Sequence, residues 1–289
     1  MSATTQTLAT DGATITYDVR GVLPTADGRP PLVMIGQPMT AGGFTELASH
    51  FSDRTVVTYD PRGLGRSTRH DGRTDQDPTV QAQDLHAVVD ELGAGPVDVF
   101  ASSGGAVTAL AWVTAYPQDI ATVVAHEPPM IRVLPDADKA DRAFRSVQEA
   151  YRAKGWGAGM AQFVSMTMWQ GEITDEFLAR PPADPAQFGM PTQDDGSRDD
   201  PLLSGAGDAV SGYRPDFEAI HAAPTRVVIA VGVESQGTIT DRTSRATAQA
   251  LGQEVTVFPS HHGGFLGDEF GQRGEPEAFA AQLHEVLDR

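Results

Sequence analysis

The 289-residue sequence has no cysteine and only two lysines, Lys139 and Lys154. The first absence excludes disulfides, thiolate zinc sites, iron–sulfur clusters and every cysteine nucleophile. The second leaves no G-K-[ST] context, hence no phosphate-gripping P-loop, and two candidates at most for Schiff-base chemistry. Basic residues are scarce as a class: 21 Lys and Arg stand against 39 Asp and Glu, a formal charge of −18. Such a field repels nucleic acid and anionic membrane surfaces. No apolar run approaches the ~20 residues a membrane helix needs. Met1 to Gly12 is polar and lacks the basic start and apolar run of a signal peptide. A soluble cytoplasmic protein is expected and, if it is an enzyme, an oxygen nucleophile.

What is present is a rhythm. Ala13 to Arg20, Pro31 to Gly36, Thr55 to Tyr59, Val97 to Ala101 and Ile120 to Ala125 read as short strands, several of them fully buried. Helical patterns at Thr40 to Phe51 and Thr79 to Leu92, and an alanine-rich helix ending before Pro117, lie between them. Alternation of this kind predicts right-handed βαβ crossovers and a doubly wound, mostly parallel α/β sheet. The rhythm stops after Pro128-Pro129 and resumes with Thr225 to Val231, a helix around Asp241 to Leu251, the strand Glu254 to Phe258 and an amphipathic helix from Pro276 to Leu287. The expected organisation is a core of residues 1–127 and 223–289 interrupted by a helical insertion, 128–222.

One strand-to-helix junction carries chemistry. V-F-A-S-S-G-G-A fits small-x-Ser-x-small centred on Ser103, with Ala101 and Gly105 as the small residues that let strand and helix approach. Gly104 offers a backbone N–H at a helix start, where donors are unpaired and the dipole favours an oxyanion. Centring the motif on Ser102 instead would put Phe100 where a small residue is required.

With that junction the sequence resembles the α/β-hydrolase family over its whole length. PLVMIGQP resembles the family's oxyanion strand and loop, DPRGLGRS its D-x-R-G-x-G-x-S turn, and a nucleophile elbow, an insertion and a late histidine follow in order. The resemblance implies an eight-stranded sheet with the insertion as a cap. DPRGLGRS reads as structural, shaping a tight loop beside the site; its GLGRST lacks the third glycine of a dinucleotide fingerprint. Ile35-Gly36 stands where the family often has His-Gly. The required donor is a backbone N–H, which Gln37 has and Pro38 lacks, so Gln37 and Gly104 are the expected oxyanion pair.

The family's general base follows the last strand, where this chain has F-P-S-H-H-G-G-F. His262, directly before Gly263-Gly264, fits that spacing better than His261. His50, His70, His86, His221 and His284 are given surface or packing roles. For the acid, the family's usual position falls in V-G-V-E-S-Q-G, where Ser235 stands with Glu234 beside it. A second known position falls in A-H-E-P-P and offers Glu127. Glu127 is preferred and Glu234 is the alternative.

The resemblance then implies a serine hydrolase cleaving a carboxylic ester or lactone through Ser103, His262 and Glu127, with no cofactor and no metal. Its partner is a small, mostly hydrophobic molecule, neither nucleic acid nor membrane. Met130, Met160, Phe163, Met166, Trp169, Phe177, Phe188 and Met190 are candidates to line the pocket, although residue by residue a place in the cap's own core is the stronger reading. The S-S-G elbow with H-E-x-P is similar to that of zearalenone-type lactonases. Alternatives are a cofactor-free haloperoxidase, perhydrolase or C–C bond hydrolase on the same residues, or a non-catalytic binding protein of this fold.

Overall fold

A computed structural model describes residues 3–25, 27–269, 271 and 273–289. Nine strands form one sheet: β1 (Ala3–Thr10), β2 (Ala13–Arg20), β3 (Leu32–Gln37), β4 (Val56–Tyr59), the two-residue β5 (Thr68–Arg69), β6 (Val97–Ser103), β7 (Ile120–His126), β8 (Arg226–Gly232) and β9 (Thr256–Phe258). Eight lie in the order β1-β2-β4-β3-β6-β7-β8-β9, and β5 pairs with β2 beside them. From β4 to β9 every pairing on this path is parallel, whereas β2 is antiparallel to β1, β4 and β5. β1 has no counterpart among the strands expected from the sequence. Its side chains are largely exposed at the sheet edge, so ATTQTLAT needs no apolar run.

The helices are α1 (Thr45–Ser49), α2 (Pro78–Leu92), α3 (Gly104–Ala115), α4 (Ala137–Lys154), α5 (Trp156–Thr167), α6 (Asp175–Leu178), α7 (Asp208–Ser211), α8 (Phe217–Ala222), α9 (Ile239–Ala250) and α10 (Pro276–Leu287). The period of two in the strands assigns them to faces. Val33 and Ile35 of β3 and Val97, Val99 and Ala101 of β6 share one core with α2, α3 and the end of α9. The alternate residues Leu32, Met34 and Phe100 share the other with α1 and α10. α3 is buried nearly all round because the sheet, α2 and α8 enclose it. Between β7 and β8 the described structure holds helices and loops only, and these gather a third apolar cluster that includes Tyr151, Met166 and Phe177 and reaches Ile239 of α9.

The segment D-P-R-G-L-G-R-S explains itself residue by residue. The Asp60 carboxylate accepts from the backbone N–H groups of Ala41 (2.9 Å) and Arg66 (2.8 Å), tying the turn to the loop that follows β3. Arg62 makes a buried two-pronged pair with Asp84 of α2, both contacts 2.7 Å. Gly65 has φ +54, and a Cβ there would stand 2.7 Å from Asp60 Oδ2. Ser67 Oγ donates to Asp60 O and accepts from Thr16 N.

Candidate active site

β6 ends at Ser103 and α3 begins at Gly104, so the chain turns from strand to helix with no intervening loop. The turn forces Ser103 to φ 57, ψ −127, a region that costs a non-glycine residue about 1–3 kcal/mol. The close approach is visible at Gly105: a Cβ there would lie 2.6 Å from Gly36 Cα and 2.7 Å from Ile35 O. Strand β3 therefore runs directly under the first turn of α3, and Gln37 is the register partner of Ser103. A Cβ on Gly104 would be 2.9 Å from Gln37 O. Gln37 and Gly104 are thus brought together beside Ser103, where one backbone N–H from the strand end and one from the helix start can serve a single oxyanion.

Glu127 follows the last residue of β7, has φ 51 and is fully buried. Its two oxygens are engaged separately. Oε1 accepts the backbone N–H of Gly232 at 2.9 Å. Oε2 accepts from Thr240 Oγ1 at 2.7 Å and lies 2.6 Å from His262 Nδ1. Gly232 has no room for a side chain, since a Cβ would meet Ser260 O at 2.7 Å; the end of β8 thereby touches both the acid and the histidine loop. Burial alone raises a carboxyl pKa. The nearby His262, its hydrogen bond and the Ser235 hydroxyl reverse the sign and hold Glu127 below the usual carboxylate range. The same pairing acts on His262. Burial disfavours the imidazolium, but the Glu127 carboxylate outweighs it and raises the pKa above the ordinary imidazole value. The His262 side chain remains 45% exposed. No hydrogen bond joins it to Ser103 Oγ among the described residues.

A cavity of about 100 Å³ opens on the elbow. Gln37, Pro38, Ser103 and Gly104 form its floor, and Phe144, Val147, Phe163, Leu202 and Val210 its apolar walls. Gln148 and Asp208 also line it, joined by a 2.6 Å hydrogen bond from Gln148 Nε2 to Asp208 Oδ1.

The chain is similar to known proteins in sequence and fold. Residues 30–188 match the family described as alpha/beta hydrolase fold. The chain belongs to that family. It is 25% identical over 296 aligned residues to an uncharacterized hydrolase, YraK, of Bacillus subtilis, covering all of this chain and 98% of that one. Over 168 residues it is 30% identical to a zearalenone hydrolase of Cladophialophora bantiana, covering 51% of this chain and 61% of that protein. Among solved structures, a thermophilic esterase from Thermogutta terrifontis aligns with TM-score 0.64 and 20% identity over 100% of this chain and 98% of the other. MGS-M2, an alpha/beta hydrolase from a deep-sea metagenome library, aligns with TM-score 0.69 and 16% identity over 98% of both chains. At these identities the two structures share the fold.

Within this member of the family the candidate residues divide sharply. The structure brings His262 and Glu127 together and leaves Glu234 exposed, its backbone N–H spent on Ser260 O. His261 Nδ1 accepts from Gly263 N at 3.0 Å and serves its own loop. Of the pocket candidates Phe163 alone lines the cavity. Met130 belongs to the sheet core, and Met166 and Phe177 are buried inside the helical cluster with Met160 and Trp169 packed on it. Phe188 is exposed, and Met190 lies on the same short turn, away from the cavity. Hydrophobicity selected these residues, and the helical segment spends most of its hydrophobic side chains on itself. Phe144, Val147, Gln148, Leu202, Asp208 and Val210 were missed. α4 is strongly amphipathic, and its apolar stripe was the available signal for Phe144 and Val147. The polar lining residues carry no such mark.

His126 was also given no role. Among the described residues no group of three or more His, Asp or Glu side chains is arranged to hold a metal ion, and no helix is long and apolar enough to cross a membrane.

Proposed function

We propose that this chain is a serine hydrolase of carboxylic esters or lactones, acting through Ser103, His262 and Glu127. The observation that carries the reading is the Glu127–His262 contact at 2.6 Å, taken together with a strained serine at the strand–helix turn. In the proposed reaction His262 takes the Ser103 proton as Oγ bonds to the substrate carbonyl carbon. The Gln37 and Gly104 amides stabilise the oxyanion. Collapse breaks the C–O bond to the leaving alcohol, which receives the proton from His262. Water, deprotonated by His262, then adds to the acyl-enzyme carbonyl; the acyl C–Oγ bond breaks, His262 returns the proton to Ser103 Oγ, and the acid is released. Glu127 holds the imidazole in the tautomer with Nδ1–H and stabilises its cation.

Residues 128–222 act as the cap in this reading, with α4, α5 and α7 closing the cavity. Its volume is well under the about 300–1,000 Å³ of drug-sized ligand pockets. That favours a short acyl group held between Phe144, Phe163 and Val210, with larger substrates requiring the cap to open. Part-length similarity to a zearalenone hydrolase supports including lactones. The test is labelling by a fluorophosphonate, with hydrolysis of a panel of aryl esters and lactones. Wild type should label at Ser103 and Ser103→Ala should neither label nor turn over. An unlabelled wild type would favour a binding protein of this fold.

A further inference from the structure

One ring in the core beneath α10 is out of chemical place. Phe100, Phe258, Phe265 and Phe279 surround His126, with centroids 5.3 to 6.3 Å from it. His126 is fully buried, and a phenylalanine would complete the cluster. Its Nδ1 lies 3.1 Å from Ser102 Oγ, while Nε2 has no hydrogen-bond partner. A buried polar nitrogen left unpaired opposes folding, and the apolar core gains nothing in return. Glu127 Oε1 lies 3.9 Å from Nε2. The imidazole also lies nearly parallel to that of His262, at 25° and 6.1 Å.

We propose that His126 is a positioning residue for the Glu127–His262 pair: its Nε2–H dipole, fixed by the Ser102 hydroxyl on Nδ1, draws on the Glu127 carboxylate and trims the basicity that this carboxylate lends to His262. The inference rests on the serine hydrolase reading. The tautomer follows from electrostatics. A lone pair on Nε2 would be repelled by a carboxylate oxygen at 3.9 Å, whereas an N–H is attracted, so Nδ1 accepts and Ser102 donates. Water is excluded here, which strengthens a dipole that lies beyond hydrogen-bond reach. The titratable groups facing His126 are Glu127, its neighbour in the chain, and His262 on the loop after β9. Among the described residues, β6, β9, the loop after His262 and α10 place Ser102 and the four phenylalanines against the ring, and β8 places Ala230 in register with it. Burial pushes the His126 pKa down to about 4, against the pull of Glu127, so the ring acts as a neutral dipole.

The test is the rate of Ser103 labelling by a fluorophosphonate as a function of pH, which reads the protonation of His262 without a known substrate. In His126→Phe the unshared carboxylate binds the His262 proton more tightly. The acidic limb should therefore move up by about 0.5–1 pH unit, a three- to tenfold slower reaction on that limb with the plateau little changed. His126→Gln, which returns an N–H near the position of Nε2, should restore much of the limb. Ser102→Ala should shift it in the same direction by less, and keeps the test open if the phenylalanine variant does not fold. Labelling of wild type with the limb unmoved in folded His126→Phe, or in Ser102→Ala should the first not fold, overturns the role of His126 alone. A His126→Gln variant indistinguishable from His126→Phe does the same. Absence of labelling in wild type overturns the hydrolase reading and this one with it.

Discussion

His262 Nδ1 and Glu127 Oε2 meet at 2.6 Å although 135 positions separate them in the chain. The contact exists because β7 and β8 are parallel neighbours and β8 pairs with β9, so the loops leaving their C-terminal ends converge. Glu127→Gln keeps the shape and removes the charge. It should lower kcat by about 10³- to 10⁴-fold with KM little changed, as loss of the orienting carboxylate does in other Ser-His-acid enzymes. Glu234→Gln, at an exposed position, should leave both parameters within about twofold. Turnover of an activated aryl ester checks both, and a Glu127→Gln enzyme near wild-type rate would remove Glu127 from the mechanism.

The strand–helix turn stores strain at the proposed nucleophile. Ser103 sits at φ 57, where glycine suffers no side-chain penalty. Ser103→Gly should therefore raise the stability of the fold by about 1 kcal/mol while abolishing labelling and turnover. Urea unfolding of the variant beside wild type measures it. A fall in midpoint would mean that the Ser103 hydroxyl stabilises the turn.

Gly105 is governed by a different constraint, since its φ is ordinary and the crowding comes from its neighbour. An alanine methyl would stand 2.6 Å from Gly36 Cα and 2.7 Å from Ile35 O. Both are backbone atoms, so β3 and α3 must separate, and that moves Gly104 away from Gln37. Gly105→Ala should cost about 1–3 kcal/mol and reduce kcat more than it raises KM. Unchanged kinetics in a folded variant would show that the proposed oxyanion donors do not depend on this contact.

The sheet was legible in the sequence where strands are buried on both sides. PLVMIG, VDVF and IATVVA need no partner to be recognised, because two packed faces demand apolar residues at nearly every position. β1 escaped for the opposite reason, being an exposed edge. Ser103, Gly104 and Gln37 could be read locally, since the elbow's small residues record a backbone approach that the structure measures at Gly105. The Glu127–His262 contact is set by strand order, which spacing alone leaves open between Glu127 and Glu234. The cavity wall was the least legible part. Trp169 and Met166 look like pocket residues in sequence, yet a helical insertion must first satisfy its own core, and polar Gln148 and Asp208 take part in the lining instead.

His126 makes the acid stability of the fold predictable. Its pKa is pushed down to about 4 in the folded chain, against about 6.5 when unfolded. Between these values the unfolded chain binds a proton that the folded chain refuses, so stability rises with pH across this window and is lost as pH falls through it. The loss by pH 4 is on the order of 3 kcal/mol. His262 acts elsewhere: its raised pKa adds stability that is complete below about 6.5 and fades as pH climbs through the folded value, so it leaves the slope between about 4 and 6.5 untouched. Replacing His126 with phenylalanine removes the proton-linked loss and fills the aromatic cluster. Its unfolding midpoint should fall less than that of wild type between about pH 6.5 and 4, and at about pH 5 it should equal or exceed it. Thermal unfolding at intervals of half a pH unit checks this. Parallel curves for the two proteins would mean that His126 is protonated in the fold, leaving a buried cation beside Glu127 in place of a neutral dipole.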